Sequence, residues 1–140
     1  EGTTMNIPLP GNTGDAGMRR VMDEIIAPKL QHFKPDVILV SAGYDAHWRD
    51  PLAGLQFQSR TYHFLSSALK QLADQLCGGK IVFLLEGGYD LEGLSDGVVE
   101  SFRSLIQDPS GDTFDASVLL EEPDKKILEA ISLAKGIHGL

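Results

Sequence analysis

The chain has 140 residues, with 20 acidic and 12 basic side chains and a formal net charge of -8 at pH 7. This acidic balance argues against the basic patch of a nucleic-acid-binding protein, so no direct nucleic-acid partner is expected. No apolar run approaches the roughly 20 residues that span a bilayer, so no membrane partner is expected either. The single cysteine, Cys77, excludes an intrachain disulfide and suits a reducing, intracellular compartment.

The first part of the chain predicts a strand, a helix and a second strand. Apolar residues alternate over residues 3–9, which predicts a short strand. After a turn-rich loop, Asp15 is predicted to cap a helix of regular apolar spacing, and Pro28 should bend or loosen that helix late in its course. Residues 37–40 are continuously apolar, which is typical of a parallel strand that is covered on both faces.

The rest of the chain continues the alternation of helices and strands. A helix is predicted over residues 59–76 with a glycine cap at 77–79, then a buried strand over 81–85 and a helix over 91–106. A last helix is predicted from Pro123 to about residue 135. The order predicts an α/β fold with parallel strands, and three strands with apolar edges would need further sequence to complete the sheet.

Both main strands lead into a Gly-Tyr-Asp segment, and ligands of open α/β sheets bind beyond the carboxyl ends of strands. Asp45 offers a carboxylate that Zn²⁺ accepts, but its spacing also suits a loop residue that caps the next turn, with His47 on the surface. Tyr89 precedes a predicted helix, so its phenol either stabilises an oxyanion or packs over the sheet edge. Trp48 either lines the mouth of a site or covers the end of the sheet.

Several other kinds of site lack their motifs. The chain has neither a Gly-x-Gly-x-x-Gly fingerprint nor the Lys-Ser/Thr of a phosphate-binding loop, so a nucleotide site is not expected. It also lacks the Gly-x-Ser-x-Gly elbow of an α/β-hydrolase. The chemistry must therefore be sought at the two Gly-Tyr-Asp segments.

Two segments carry a family resemblance. Residues 37–55, VILVSAGYDAHWRDPLAGL, and 81–98, IVFLLEGGYDLEGLSDGV, closely resemble the zinc-dependent histone deacetylase and acetylpolyamine amidohydrolase family. The similarity is to its class II and bacterial branch rather than to class I. Residues 5–15, MNIPLPGNTGD, look like the family's segment before the same helix. The resemblance covers roughly the first three quarters of the chain.

The resemblance implies a fold and a set of roles. The fold would be an arginase/deacetylase-like three-layer α/β/α arrangement around a parallel sheet. Asp45 matches the family's last zinc ligand, and Tyr89 matches the tyrosine that polarises the acetyl carbonyl and stabilises the tetrahedral oxyanion. Gly87 and Gly88 match glycines that line the acetyl-lysine channel. His47 matches no family ligand.

The family's remaining machinery lies upstream of the matched segments. Its Asp-x-His zinc ligands and its His-His pair, the general base and its neighbour, are absent from this chain. The chain opens with Glu1 and has no initiator methionine. Residues 1–140 are therefore expected to be the C-terminal portion of a single deacetylase domain, and the N-terminal part of that domain would be their partner.

The expected function is that of a Zn²⁺-dependent amidohydrolase which removes acetyl groups from acetyl-lysine in proteins or from small acetamides. With one zinc ligand, the isolated chain should be inactive. The alternative is a non-catalytic, truncated binding or scaffold module. An arginase-like binuclear hydrolase is disfavoured, because it would need more carboxylates around Asp45. Nucleus, cytosol and plastid all remain open as locations.

Overall fold

Two parallel strands form the sheet, and helices pack against one of its faces. A computed structural model describes residues 3–140. In that part of the chain the sheet consists of β1 (Ile38–Ala42) and β2 (Ile81–Leu85), with Ile38 opposite Ile81 and Ala42 opposite Leu85. The predicted parallel pairing of these two segments is confirmed.

The helices follow the predicted order. They are α1 (Asp15–Val21), a π-helical segment (Met22–Ile26), α2 (Ala27–Phe33), α3 (Ser59–Cys77), α4 (Leu91–Leu105), a 3-10 turn (Ala116–Val118) and α5 (Asp124–His138). Gly78 ends α3 with a φ of 61°, the left-handed conformation of the predicted glycine cap. Among the described residues, no helix combines the length and the apolar character needed to cross a membrane.

The strand predicted over residues 3–9 is wrong. This segment belongs to no strand in the structure, and its apolar residues Met5, Ile7 and Leu9 pack against the buried cluster formed by α1, the π-helical segment and α5. Pro8 lies in the middle of the segment and has no N–H to donate to a ladder. The alternation of apolar residues therefore records packing against helices, and not membership of the sheet.

The predicted cap at Asp15 is also wrong. Gly14 is the N-cap of α1, and Asp15 is the first helical residue. Its carboxylate instead accepts hydrogen bonds from the Thr61 hydroxyl and, at 3.4 Å, from the Gln58 N–H. Asp15 therefore joins the start of α1 to the start of α3.

Pro28 loosens its helix, as the sequence predicts. The π-helical segment Met22–Ile26 lies directly before the first turn of α2, which contains Pro28. A proline inside a helix removes one N–H and brings its ring against the carbonyl four residues earlier. The wider π-helical turn accommodates this conflict and lets the two halves run on as one interrupted helix.

Within residues 3–140, helices pack against one face of the sheet, and the other face is exposed. Ile38 and Ile81 belong to a buried cluster with α3, the π-helical segment and α2. On the opposite face, Leu39, Val82 and Leu84 are 63%, 46% and 51% exposed. The helices that pack against the sheet in residues 3–140 do so on the first face. Apolar surface of this kind marks a site of contact with another element.

Gly97 allows α4 to approach the aromatic core next to β1. The rings of Tyr44 and Tyr62 lie 4.8 Å apart between their centroids. A Cβ atom on Gly97 would lie 2.6 Å from Cδ1 of Tyr44 and 3.1 Å from Cδ2 of Tyr62. Only a residue without a side chain leaves these two rings where they are.

Replacement of Gly97 by alanine should therefore lower the free energy of unfolding of the complete protein by about 1–3 kcal/mol, the usual cost of overpacking. Gly136 in α5 is the matched control, because a Cβ there would meet no atom within 4 Å. Gly136→Ala should stabilise the helix by up to about 1 kcal/mol. Urea unfolding followed by circular dichroism checks both, and a Gly97→Ala variant as stable as wild type would contradict the packing argument.

Candidate functional site

The segments that follow β1 and β2 stay hydrogen-bonded to each other beyond the sheet. The residue directly after β2 donates its N–H to the last carbonyl of β1 at 3.0 Å. One step further, the N–H of Tyr44 donates to the carbonyl of Gly87 at 2.8 Å. The parallel register therefore continues into both loops. Asp45 and Tyr89 consequently lie at the same, carboxyl end of the sheet, where the sequence predicts them.

The carboxylate of Asp45 occupies a space that two glycines leave open. A Cβ on Gly87 would lie 2.7 Å from Cγ of Asp45, and a Cβ on Gly43 would lie 2.7 Å from its Oδ1. Asp45 is half-buried. Any larger residue at either glycine position would displace this carboxylate, so the position of Asp45 depends on both of them.

The described residues do not build a metal site by themselves. Within residues 3–140, no group of three or more His, Cys, Asp or Glu side chains is arranged to hold a metal ion. A catalytic zinc takes about three protein ligands and a water molecule. Asp45 alone is an incomplete donor set, and a zinc ion at this carboxylate would need its other ligands from outside these residues.

His47 is buried, and not on the surface as one interpretation of the sequence had it. Its side chain packs against Gly93, and the residue is 4% exposed. Nδ1 accepts the N–H of Arg49 at 3.3 Å, so Nε2 carries the proton and donates to the Ser59 hydroxyl at 3.3 Å. Burial lowers the pKa of His47, and the nearby charge of Asp90 offsets this only in part. His47 is thus a neutral packing residue with both nitrogens occupied.

A chain of hydroxyl groups fixes the loop before Asp45 to α3 and α4. The Tyr62 hydroxyl donates to the carbonyl of Tyr44 at 3.0 Å, and the Tyr44 hydroxyl donates to Oγ of Ser101 at 3.1 Å. Ser101 in turn donates to the carbonyl of Gly97 at 2.9 Å. Burial, with a contribution from the charge of Asp45, raises the pKa of Tyr62 far above its usual value. The Tyr62 phenol therefore stays a donor.

Tyr89 stands at an open edge of the molecule. Its side chain is 60% exposed. Gly88, directly before it, has a φ of 133°, and a Cβ there would lie 3.0 Å from Cδ1 of Leu94 and 3.1 Å from Cβ of Tyr44. Both the backbone conformation and the close approach favour glycine at this position. The packing of Gly88 therefore fixes the direction in which the backbone enters Tyr89.

Asp50 joins the two loops, and the sequence interpretation missed it. Its carboxylate accepts the N–H of Leu52 at 3.0 Å, of Tyr89 at 2.7 Å and of Asp90 at 3.1 Å. Burial alone would raise the pKa of Asp50, but these three donors hold it below its usual value. The sequence offers only the turn chemistry of an Asp-Pro pair, because the other partners are 39 and 40 residues away.

Trp48 covers a neighbouring segment of the chain. Its ring stacks on Phe114 with 4.8 Å between the centroids. The guanidinium of Arg49 lies 5.2 Å from the centre of the Trp48 ring. These contacts join the loop after β1 to the segment before the 3-10 turn.

Known proteins with similar sequences are deacetylases by name. A family model described as "Histone deacetylase domain" matches residues 1–105. "Histone deacetylase 10, chloroplastic" of Oryza sativa subsp. japonica is 55% identical over 142 residues, covering 100% of this chain and 32% of the relative. "Histone deacetylase 14, chloroplastic" of Arabidopsis thaliana is 56% identical and covers 100% of this chain and 34% of the relative. The chain thus spans about a third of the length of these relatives.

Two solved structures share the fold. The structure titled "Crystal Structure of HDA15 HD domain" superposes with a TM-score of 0.80 at 27% identity, covering 99% of this chain and 35% of that one. "Structure of the histone deacetylase Clr3" gives a TM-score of 0.82 at 25% identity, covering 98% and 22%. These matches confirm the predicted arginase/deacetylase-like α/β fold.

The burial of His47 generates a stability prediction. His47→Ala should lower the free energy of unfolding by about 1–3 kcal/mol, because it leaves polar partners of the ring unpaired in the interior. His32, which is exposed in α2, is the control, and His32→Ala should change the stability by no more than about 0.5 kcal/mol. Denaturant unfolding of the complete protein measures both. Equal stabilities of the two variants would contradict a packing role for His47.

Proposed function

The chain belongs to the histone deacetylase family, and from this membership we propose that the complete protein is a zinc-dependent amidohydrolase. It would remove acetyl groups from acetyl-lysine in proteins or from related acetamides. The observation that carries the proposal is the placement of a carboxylate, Asp45, and a phenol, Tyr89, beyond the same end of two paired parallel strands. Ligands of such sheets bind at this end.

Asp45 is proposed as one of the zinc ligands. Its support is the space that Gly43 and Gly87 leave for the carboxylate at the end of β1. A zinc ion bound there would supply a Lewis acid and an activated water molecule. The remaining ligands and the general base would come from parts of the protein outside residues 1–140. Asp45 therefore contributes to a site that this chain shares.

Tyr89 is proposed as the donor to the oxyanion. It is exposed at the sheet end directly after Gly87 and Gly88, which we propose, from the family resemblance, to line the acetyl-lysine channel. The backbone of Tyr89 directly precedes α4, and the amino end of a helix favours developing negative charge. A phenol at this point hydrogen-bonds an oxyanion more strongly than a neutral carbonyl, and such a difference accelerates the chemical step.

Residues 1–140 are proposed as the C-terminal portion of a single domain, whose N-terminal part covers the exposed sheet face. The support is the row of exposed apolar residues Leu39, Val82 and Leu84. The chain also spans only about a third of the length of its relatives. Upstream sequence that packs on this face would supply the missing layer and bring the remaining site residues to the same end of the sheet.

The segment after residue 105 is proposed to belong to the same domain, although the family model ends there. Ile127 and Ile131 in α5 share a buried cluster with Val21 and Ile25. The carboxylate of Glu122 accepts two N–H groups from the first turn of α1 at 2.9 and 2.8 Å. Contacts of this kind favour one cooperative unit over a separate tail.

A plastid is the proposed location of the complete protein. Two relatives that match the whole chain, from rice and Arabidopsis, are named chloroplastic. The substrates would then be acetylated proteins or small acetamides of that compartment.

The proposed ligand role of Asp45 has a direct test. Asp45→Ala should strip zinc from the complete protein, because the remaining ligands would be too few to hold the ion tightly. His47→Ala should leave the zinc bound, since both ring nitrogens of His47 already have protein partners. Elemental analysis of the folded proteins measures the metal content. Equal zinc in wild type and Asp45→Ala would rule out the assignment.

The proposed role of Tyr89 predicts a loss of kcat. Tyr89→Phe should lower kcat by about 10²–10³-fold, the usual cost of one oxyanion donor. KM should change little, because the bond forms mainly in the transition state. Tyr62→Phe is the control: it removes a buried hydroxyl, so it should lower the thermal stability with a smaller effect on kcat. Steady-state kinetics on an acetyl-lysine peptide would contradict the role if Tyr89→Phe kept wild-type kcat.

A further inference from the structure

We propose that Asp50 is a positioning residue for the reaction. It holds the backbone of Tyr89 in register with the loop that carries Asp45. This inference rests on the proposed function, because it concerns the same site.

The carboxylate of Asp50 has one oxygen for each loop. Oδ1 accepts the N–H of Leu52 at 3.0 Å and so fixes the carboxylate within its own loop. Oδ2 accepts the N–H groups of Tyr89 at 2.7 Å and of Asp90 at 3.1 Å, which belong to the loop after β2. Hydrogen bonds to an ionised acceptor are shorter and stronger than those between neutral groups. The side chain thus works as a bridge of fixed length.

Asp50 is itself held firmly. Its backbone N–H donates to the carbonyl of His47 at 2.8 Å, and the residue is buried. The buried ring of His47 bonds to Ser59 at the start of α3. The loop that carries Asp50 is therefore anchored to the long helix α3. A carboxylate held in this way can fix the positions of the N–H groups that it binds.

The ring of Tyr89 has little packing of its own to fix its position. The side chain is 60% exposed, so its ring gains few packing contacts. The two residues before it are held in place, because Gly87 accepts the Tyr44 N–H and Gly88 packs closely against Leu94, so the next anchor along the chain is the N–H of Tyr89 itself. The hydrogen bond of the Tyr89 N–H therefore fixes the backbone position from which the side chain extends. A displacement there moves the phenol relative to Asp45.

The consequence for catalysis is geometric. A donor acts on an oxyanion only from about 2.7–3.1 Å. Asp45 and Asp50 lie in the loop after β1, and Tyr89 lies in the loop after β2. The hydrogen bond from the Tyr89 N–H to the Asp50 carboxylate therefore sets the position of Tyr89 relative to the loop that carries Asp45. Loss of this bridge should therefore reduce the rate of the chemical step more than substrate binding.

The test is a double-mutant cycle in the complete protein with an acetyl-lysine peptide as substrate. Asp50→Asn keeps one acceptor oxygen, so it can serve only one of the two loops. It should lower kcat by about 10- to 10²-fold, as a misplacement of about 1 Å does. KM should change little. In a Tyr89→Phe background the same change should lower kcat little further, because coupled residues are not additive.

Asp115→Asn is the matched control. Asp115 also accepts a backbone N–H, from Ser117 at 2.9 Å, but it lies at the 3-10 turn. This variant should keep wild-type kcat. If Asp50→Asn fails to fold, Asp50→Glu provides a second variant, which keeps the charge but shifts the carboxylate by one methylene group. It should show the same fall in kcat and the same dependence on Tyr89.

Amide hydrogen exchange gives a readout that does not depend on activity. In Asp50→Asn the amides of Tyr89 and Asp90 should exchange faster than in wild type. In Asp115→Asn the same two amides should exchange at the wild-type rate. Equal losses of kcat in the wild-type and Tyr89→Phe backgrounds, or unchanged exchange at these amides, would overturn the proposal. If Tyr89→Phe itself keeps wild-type kcat, the proposed role of Tyr89 fails, and the exchange rates still decide whether Asp50 holds the segment.

Discussion

The hydrogen bond from the Tyr44 N–H to the Gly87 carbonyl is the constraint on which the site depends. It extends the parallel register of β1 and β2 beyond the sheet, at 2.8 Å between the two atoms. Paired parallel strands lie about 4.8 Å apart, so loops that stay in register bring their side chains within reach of each other. An antiparallel pair would send the same two loops to opposite ends. The juxtaposition of Asp45 and Tyr89 is therefore a property of strand direction.

Close approach in this region is possible because glycine stands at the points of contact. Gly43 and Gly87 leave the space that the Asp45 carboxylate fills, and Gly97 leaves the space for the ring of Tyr44. Gly88 differs from these three, because it also has a φ of 133°. Three glycines thus serve steric proximity, while the fourth serves both proximity and chain direction. At these four positions an added methyl group would clash with a neighbouring side chain or push it away.

The elements with the clearest apolar patterns could be predicted from the sequence to within about two residues: α3 from its helical spacing, and β1 and β2 from their continuous apolar runs. The two Gly-Tyr-Asp segments after the strands singled out Asp45 and Tyr89, and the family resemblance then implied their roles. The strand over residues 3–9 could not be recognised as false, because alternation looks the same whether a segment packs on helices or pairs in a sheet. The bridge through Asp50 escaped notice for another reason. Hydrogen bonds between residues 39 positions apart leave no local pattern.

The sequence shows an excess of acidic side chains, but it does not show which groups their carboxylates bind. In the structure, three helices begin at a carboxylate from a distant segment: α1 at Glu122, α3 at Asp112 and α4 at Asp50. The amino end of a helix has unpaired N–H groups and a partial positive charge, so each contact satisfies donors and links two segments at once. The start of α4 differs from the other two in one respect. The Asp50 carboxylate there also accepts the N–H of Tyr89. At α1 and α3 the carboxylate only joins two segments, whereas at α4 it also sets the position of the exposed phenol.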